Sequence, residues 1–113
     1  MTADPAERIA SFRKLLASDP NDPMLHFGLG TALLRTNDPT EAATAFEATL
    51  RLDPNYTAAY RELGRALEAL GRSEDALEAW RRGIEVAQRT GDLQAGKEMT
   101  VFSARLREKP SSP

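Results

Sequence analysis

The chain of 113 residues has no cysteine, one histidine and one tryptophan. Without cysteine there is no disulfide, no thiolate metal site and no thiol nucleophile. His26 is the only imidazole, so the serines and threonines have no other histidine as base, and no carboxylate cluster stands with it at metal-ligand spacing. There is no Gly-rich phosphate loop, because each glycine falls where a helix ends or where helices approach closely. An excess of one charge is missing as well: 15 Lys and Arg face 17 Asp and Glu, a formal net charge of -2. That balance supplies no general attraction to nucleic acid or to an anionic membrane. No apolar run approaches the roughly 18 residues that suggest a membrane span. Met1-Thr2-Ala3-Asp4-Pro5-Ala6-Glu7 has no basic stretch followed by an apolar one. These absences predict a soluble cytoplasmic protein that is not an enzyme, uses no cofactor or metal, and takes neither nucleic acid nor membrane as partner.

What the chain does have is a spacing. Asp-Pro occurs at residues 4–5, 19–20, 22–23, 38–39 and 53–54, and Pro5 to Pro39, Asp19 to Asp53 and Pro20 to Pro54 are each 34 residues apart. Asp is a good N-cap and Pro suits the first helical position, so some of these pairs open helices and others close them. Sliding residues 23–56 onto 57–90 superposes Leu29 on Leu63, Gly30 on Gly64, Leu33 on Leu67, Ala42 on Ala76 and Ala45 on Ala79. Phe46 meets Trp80, His26 meets Tyr60, and Asn37 meets Gly71. Residues 5–22 repeat onto 39–56 through Pro5, Glu7, Phe12, Leu16, Asp19, Pro20 and Asn21. Small, large and turn residues in one register over three segments mark a structural repeat.

Each unit reads as two helices with apolar stripes at helical spacing. Asn37 and Gly71, both tolerant of the left-handed conformation, make the turn inside each unit. Asp38-Pro39-Thr40-Glu41 opens its helix with a cap and an acid three residues on, and Ser73-Glu74-Asp75 is expected to do similar work in the next unit. Gly inside a helix costs roughly 1 kcal/mol against Ala. Its recurrence as Gly30 and Gly64 points to close helix approach, with Ala42 and Ala76 yielding space from the other side. Phe46 and Trp80 are then expected to fill the gap to the neighbouring unit. The predicted helices span 5–17, 23–36, 39–51, 57–70, 73–90 and 92–107.

These residues resemble the tetratricopeptide repeat family. Its pattern has a bulky residue, Leu-Gly, a second bulky residue, Ala, an aromatic, Ala and a closing Pro. Residues His26, Leu29, Gly30, Leu33, Ala42, Phe46, Thr49 and Pro54 fill it once, and Tyr60, Leu63, Gly64, Leu67, Ala76, Trp80 and Gly83 fill it again. The closing Pro of the second unit is replaced by Gln88, which lets that helix run on towards Thr90. The resemblance implies an all-α solenoid of stacked antiparallel helix pairs with a right-handed superhelical curve. One domain over 1–108 is expected: a half repeat at 5–22, repeats at 23–56 and 57–90, and a C-terminal cap helix within 91–108. Ala95, Met99, Phe102 and Leu106 form the stripe of that cap, which is out of the repeat frame and is assigned to a unit shortened by about two residues. Residues 109–113 are expected to be a disordered tail.

His26 falls on a packing position of the repeat and is read as a core residue. Phe12, Phe46, Tyr60 and Trp80 are likewise core. The resemblance also implies that the first helix of each pair lines a concave groove. Phe27 is off the packing positions and is assigned to that groove, with Met24, Thr31, Leu34 and Arg35 on the same helix face. Arg61, Arg65 and Glu68 take equivalent places in the next unit, and Met99 and Phe102 border the far end. The groove is thus expected to be apolar at one end and basic in the middle. Arg61 and Arg65, one turn apart, are in position to hold a single carboxylate as a fork; the plainer alternative pairs them with Glu62 and Glu68. The corresponding clamp in some family members, which holds a C-terminal carboxylate, contains Asn residues that are missing here. The expected function is a protein-interaction module for an unidentified peptide or protein segment. The alternative is a homodimer formed through the same apolar face.

Overall fold

The structure, a computed structural model, describes residues 4–109. The four residues 110–113 of the expected disordered tail lie outside it. Six helices follow one another: α1 (Pro5–Ser18), α2 (Pro23–Arg35), α3 (Pro39–Leu52), α4 (Thr57–Ala69), α5 (Ser73–Thr90) and α6 (Leu93–Glu108). There is no strand among the described residues. Every predicted helix is present, with ends shifted by at most one residue.

Local chemistry explains most of the helix starts. The carboxylates of Asp4, Asp22, Asp38 and Asp92 accept hydrogen bonds from the backbone N–H of Ala6, Met24, Glu41 and Ala95, at 2.9–3.3 Å. Each satisfies a donor that the first turn leaves without a partner. In α1, α2 and α3 a proline follows the cap, where its missing N–H has no cost. Ser73 differs from expectation. It is the first helical residue rather than the cap, Arg72 stands at the cap position, and no side chain caps α5. The acids of its first turn are present, and Arg72 bonds Asp75 at 2.9 Å.

The turns fall into two kinds. After α2 and α4, Asn37 and Gly71 adopt φ of 62° and 75°. The next N–H then reaches back five residues, Asp38 to the Leu33 carbonyl and Arg72 to the Leu67 carbonyl, both at 2.9 Å. After α1 and α3 the chain turns instead through Asp19-Pro20 and Asp53-Pro54. The exit from α5 is of the first kind: Gly91 has φ 81° and Asp92 N–H bonds the Ala87 carbonyl at 3.0 Å. With Gln88 in place of a proline, α5 runs to 18 residues against the 14 of α3. From the start of α2 to that of α4 is 34 residues, and from α4 to α6 is 36. The last helix therefore belongs to a unit lengthened by two residues, not shortened, because α5 continues past the point where Pro54 ends its counterpart.

Two linked clusters form the core. One gathers Leu33, Ala42, Ala43, Phe46 and Ala66, and the other Leu67, Ala76, Ala79, Trp80, Ala87, Ala95, Met99 and Leu106; Leu63 packs against both. Phe46 and Trp80 have no exposed surface. Their rings lie over the glycines of their own units, Gly30 and Gly64, at positions that a Cβ would occupy. Each ring also reaches further: the Phe46 cluster includes Ala66 of the next unit, and Trp80 lies 5.6 Å from Phe102 on α6. The aromatics thus fill space first within a unit and then between units. The indole N–H of Trp80 donates to the Arg61 carbonyl at 3.0 Å, so burial leaves no orphan donor.

Candidate functional site

The first helices α2, α4 and α6 neighbour one another in sequence of units, and their shared face carries the side chains singled out above. At the α2 end Met24 stands 68% exposed. Phe27 beside it is half-buried, not free: its ring lies 5.7 Å from Phe46 and 4.9 Å from Tyr56. It therefore packs against the first core cluster while staying partly exposed, which corrects its reading as a residue off the packing positions. Tyr56 was not foreseen. It occupies the cap position of α4, where an Asp stands in the preceding unit, and so has no repeat counterpart to flag it. Burial, followed by the carboxylates of Asp53 and Asp22, raises the Tyr56 phenol above its ordinary range, so it is a neutral group at physiological pH. The Thr31 hydroxyl donates to the Phe27 carbonyl at 3.0 Å, within its own helix. Leu34 packs against the first core cluster, and Arg35 is exposed.

In the middle of the face the two arginines do converge on one carboxylate, and it belongs to the protein. Arg61 Nε is 3.4 Å and Arg65 Nη1 3.3 Å from the same Glu62 oxygen. Arg61 Nη1 reaches across to Glu98 on α6 at 3.2 Å. The Glu62 side chain is only 10% exposed, whereas that of Arg65 is 55% exposed. A carboxylate so far withdrawn from water needs two cationic donors, and it has them. Neither of the expected arrangements is complete: the fork is occupied by Glu62, and the further partner is Glu98, not Glu68, which stays exposed. Arg35, Arg61 and Arg65 are matched by Glu62, Glu68 and Glu98, so the middle of the face is balanced in charge and not basic.

At the far end Met99 is withdrawn from the face. It has no exposed surface and its thioether fills the space above Gly83, so it is a core residue and its assignment to the groove is corrected. The two-residue lengthening before α6 rotates Met99 inward and brings Glu98 opposite Arg61. Phe102 keeps a half-exposed ring, backed by Trp80, with the Arg65 guanidinium 5.9 Å from its centroid. His26 is half-buried, as expected for a packing position. Its Nε2 lies 2.8 Å from the Pro20 carbonyl, which accepts only, so Nε2 carries the proton. Among the described residues no three His, Cys, Asp or Glu are grouped to hold a metal ion, and no helix is long and apolar enough to cross a membrane.

The fold and its repeat have counterparts. The family model described as "Tetratricopeptide repeat" matches residues 4–56 and 27–92. The TPR repeat-containing protein PA0015 of Pseudomonas aeruginosa is 39% identical over 98 residues, covering 87% of this chain and 93% of that protein. The solution structure of protein BPP2914 from Bordetella parapertussis is 32% identical, with a TM-score of 0.79 over 95% of this chain and 90% of that one. The first TPR of Spaghetti (RPAP3), solved bound to the HSP90 peptide SRMEEVD, is 24% identical and has a TM-score of 0.82, covering 92% of this chain and 78% of that one. With a family model spanning most of the helices and a relative of this identity along almost its whole length, the chain belongs to the tetratricopeptide repeat family.

Proposed function

We propose that this protein is a non-catalytic interaction module that binds an extended or helical peptide segment on the α2–α4–α6 face. The observation that carries the reading is the pairing of apolar and polar features along that face. Met24 and the Phe27–Tyr56 pair form a hydrophobic shelf, and Phe102 forms a second apolar spot. Between them Arg65, more than half exposed, has guanidinium donors beyond the one that meets Glu62. A peptide with two apolar side chains flanking a carboxylate or carbonyl would use all three features. Because Glu62 and Glu98 already neutralise Arg61, a strongly acidic peptide gains little here, and hydrophobic contacts supply most of the affinity. A neighbour of the same fold with a bound peptide supports the general mode.

A homodimer through this same face has less support. With Met99 buried and Phe27 and Phe102 half-covered, Met24 is the one large hydrophobic side chain on it that is exposed. A standard interface needs about 800 Å² from each partner.

The test is selection of 12-residue peptides displayed on phage against the purified protein, followed by calorimetry of the best binders. We expect micromolar dissociation constants, about -8 kcal/mol, and a loss of tenfold or more for Met24→Glu, with unchanged melting temperature, and for Arg65→Gln, with the fold retained by circular dichroism. Selected peptides that bind both variants as well as the native chain would place recognition elsewhere.

A further inference from the structure

The two ends of the described structure are halves of one unit. α1 corresponds to the second helix of a pair and α6 to a first helix, and among the described residues each lacks the partner helix of its own unit. Inside the chain α3 covers α2 and α5 covers α4, with Phe46 over Gly30 and Trp80 over Gly64. On α6 the equivalent side is open. It forms, with Ile84 and Ala87 of α5, an apolar groove of about 530 Å³ in which Leu93 is 66% and Val101 45% exposed. A helix that only caps a solenoid presents a polar outer face, whereas α6 sets exposed Leu93 and Val101 among Lys97 and Thr100.

α1 shows the matching defect. None of its residues is buried. Leu15 stands where the repeat places Thr49 and Gly83, both buried under their own units, yet it is 52% exposed. Charge fits the same register. Arg13 of α1 bridges Glu41 of α3 at 2.7 Å. In the repeat, Glu7 takes the place of Glu41, and Arg81 of α5 takes the place of Arg13. An α1 laid beside α5 and over α6 would bring Glu7 to Arg81, whose present partners Glu78 and Glu85 are exposed and exchangeable.

We propose that a second copy of this chain docks its α1 into the α5–α6 groove, so that molecules join head to tail and continue the solenoid across the joint. The surface used is separate from the α2–α4–α6 face. The contact is heterologous: each copy keeps one free α1 and one free groove, and growth does not stop at two. Arg8 stands on α1 where Ala42 and Ala76 allow close approach within the chain, which makes the joint wider and weaker than an internal one.

Complementation between two blocked full-length variants tests this by sedimentation and light scattering. Leu93→Glu with Val101→Glu closes the groove and leaves α1 free. Leu15→Glu closes α1 and leaves the groove free. All three positions are exposed, and circular dichroism confirms that each variant folds. The expected result is a native mass that rises with concentration past two chains, two variants that each stay monomeric, and a mixture that forms a one-to-one dimer and grows no further. A native chain that stays monomeric throughout, a Leu15→Glu variant that still associates, or a mixture that remains monomeric would each overturn the proposal.

Discussion

The units 23–56 and 57–90 follow one plan and part most at the exit. Each lays an aromatic ring over its own glycine, and each ties its first helix to the preceding turn by a bond to a proline carbonyl. His26 makes that bond to Pro20 at 2.8 Å, and Tyr60 makes it to Pro54 at 3.0 Å. An imidazole and a phenol thus do the same work, since both have a flat apolar body with a donor at the far end. The units differ at the exit. The first stops at Asp53-Pro54, and the second runs on to Gly91. Contacts made within a unit are repeated; the contact that hands the chain on to the next helix is free to change, and with it the register of α6.

Four substitutions sharpen this comparison. The largest effect is expected at the rings. Trp80→Ala should cost about 3–5 kcal/mol and Phe46→Ala a value near the lower end of that range, because Trp80 is larger and also loses the bond to the Arg61 carbonyl. Against a typical total of roughly 5–15 kcal/mol, either can unfold a module of this size. Urea titration followed by circular dichroism gives the order, and a reversed order would mean that the first unit dominates stability. Next comes Gln88→Pro, which installs the closing residue of the first unit inside the last turns of α5. A proline in a helix interior costs about 3 kcal/mol; a variant as stable as the native chain would show that the long α5 contributes nothing to seating α6. The smallest effect is Tyr60→Phe, which removes one hydrogen bond with the ring left in place. A loss of about 1 kcal/mol is expected, and no measurable loss would mean that the bond to Pro54 is replaced by water without cost.

The face on α2, α4 and α6 was legible in part. Met24, Leu34, Arg35 and Glu68 needed only the repeat frame to be set on one side of a helix. Phe27 lies on the face but is partly covered by Tyr56, a cap residue without a counterpart, and Met99 is buried over Gly83 because α6 is shifted from the repeat register. The expected basic centre failed for the same reason. Its neutralising partner Glu98 is 37 residues from Arg61, in the one helix whose register departs from the repeat.

By itself the sequence determined the six helices, their limits and the packing of each pair. Those depend on interactions a few residues long, Asp caps, prolines at first positions and left-handed Asn37 and Gly71, together with a small-residue pattern that recurs at fixed spacing. Tertiary structure alone decided how α6 sits on α5, which side chains stay exposed on the shared face, and that Arg61 reaches Glu98 on α6. These outcomes depend on distances between helices, and two extra residues in the second unit are enough to rotate α6 and exchange which of Glu98 and Met99 faces the core.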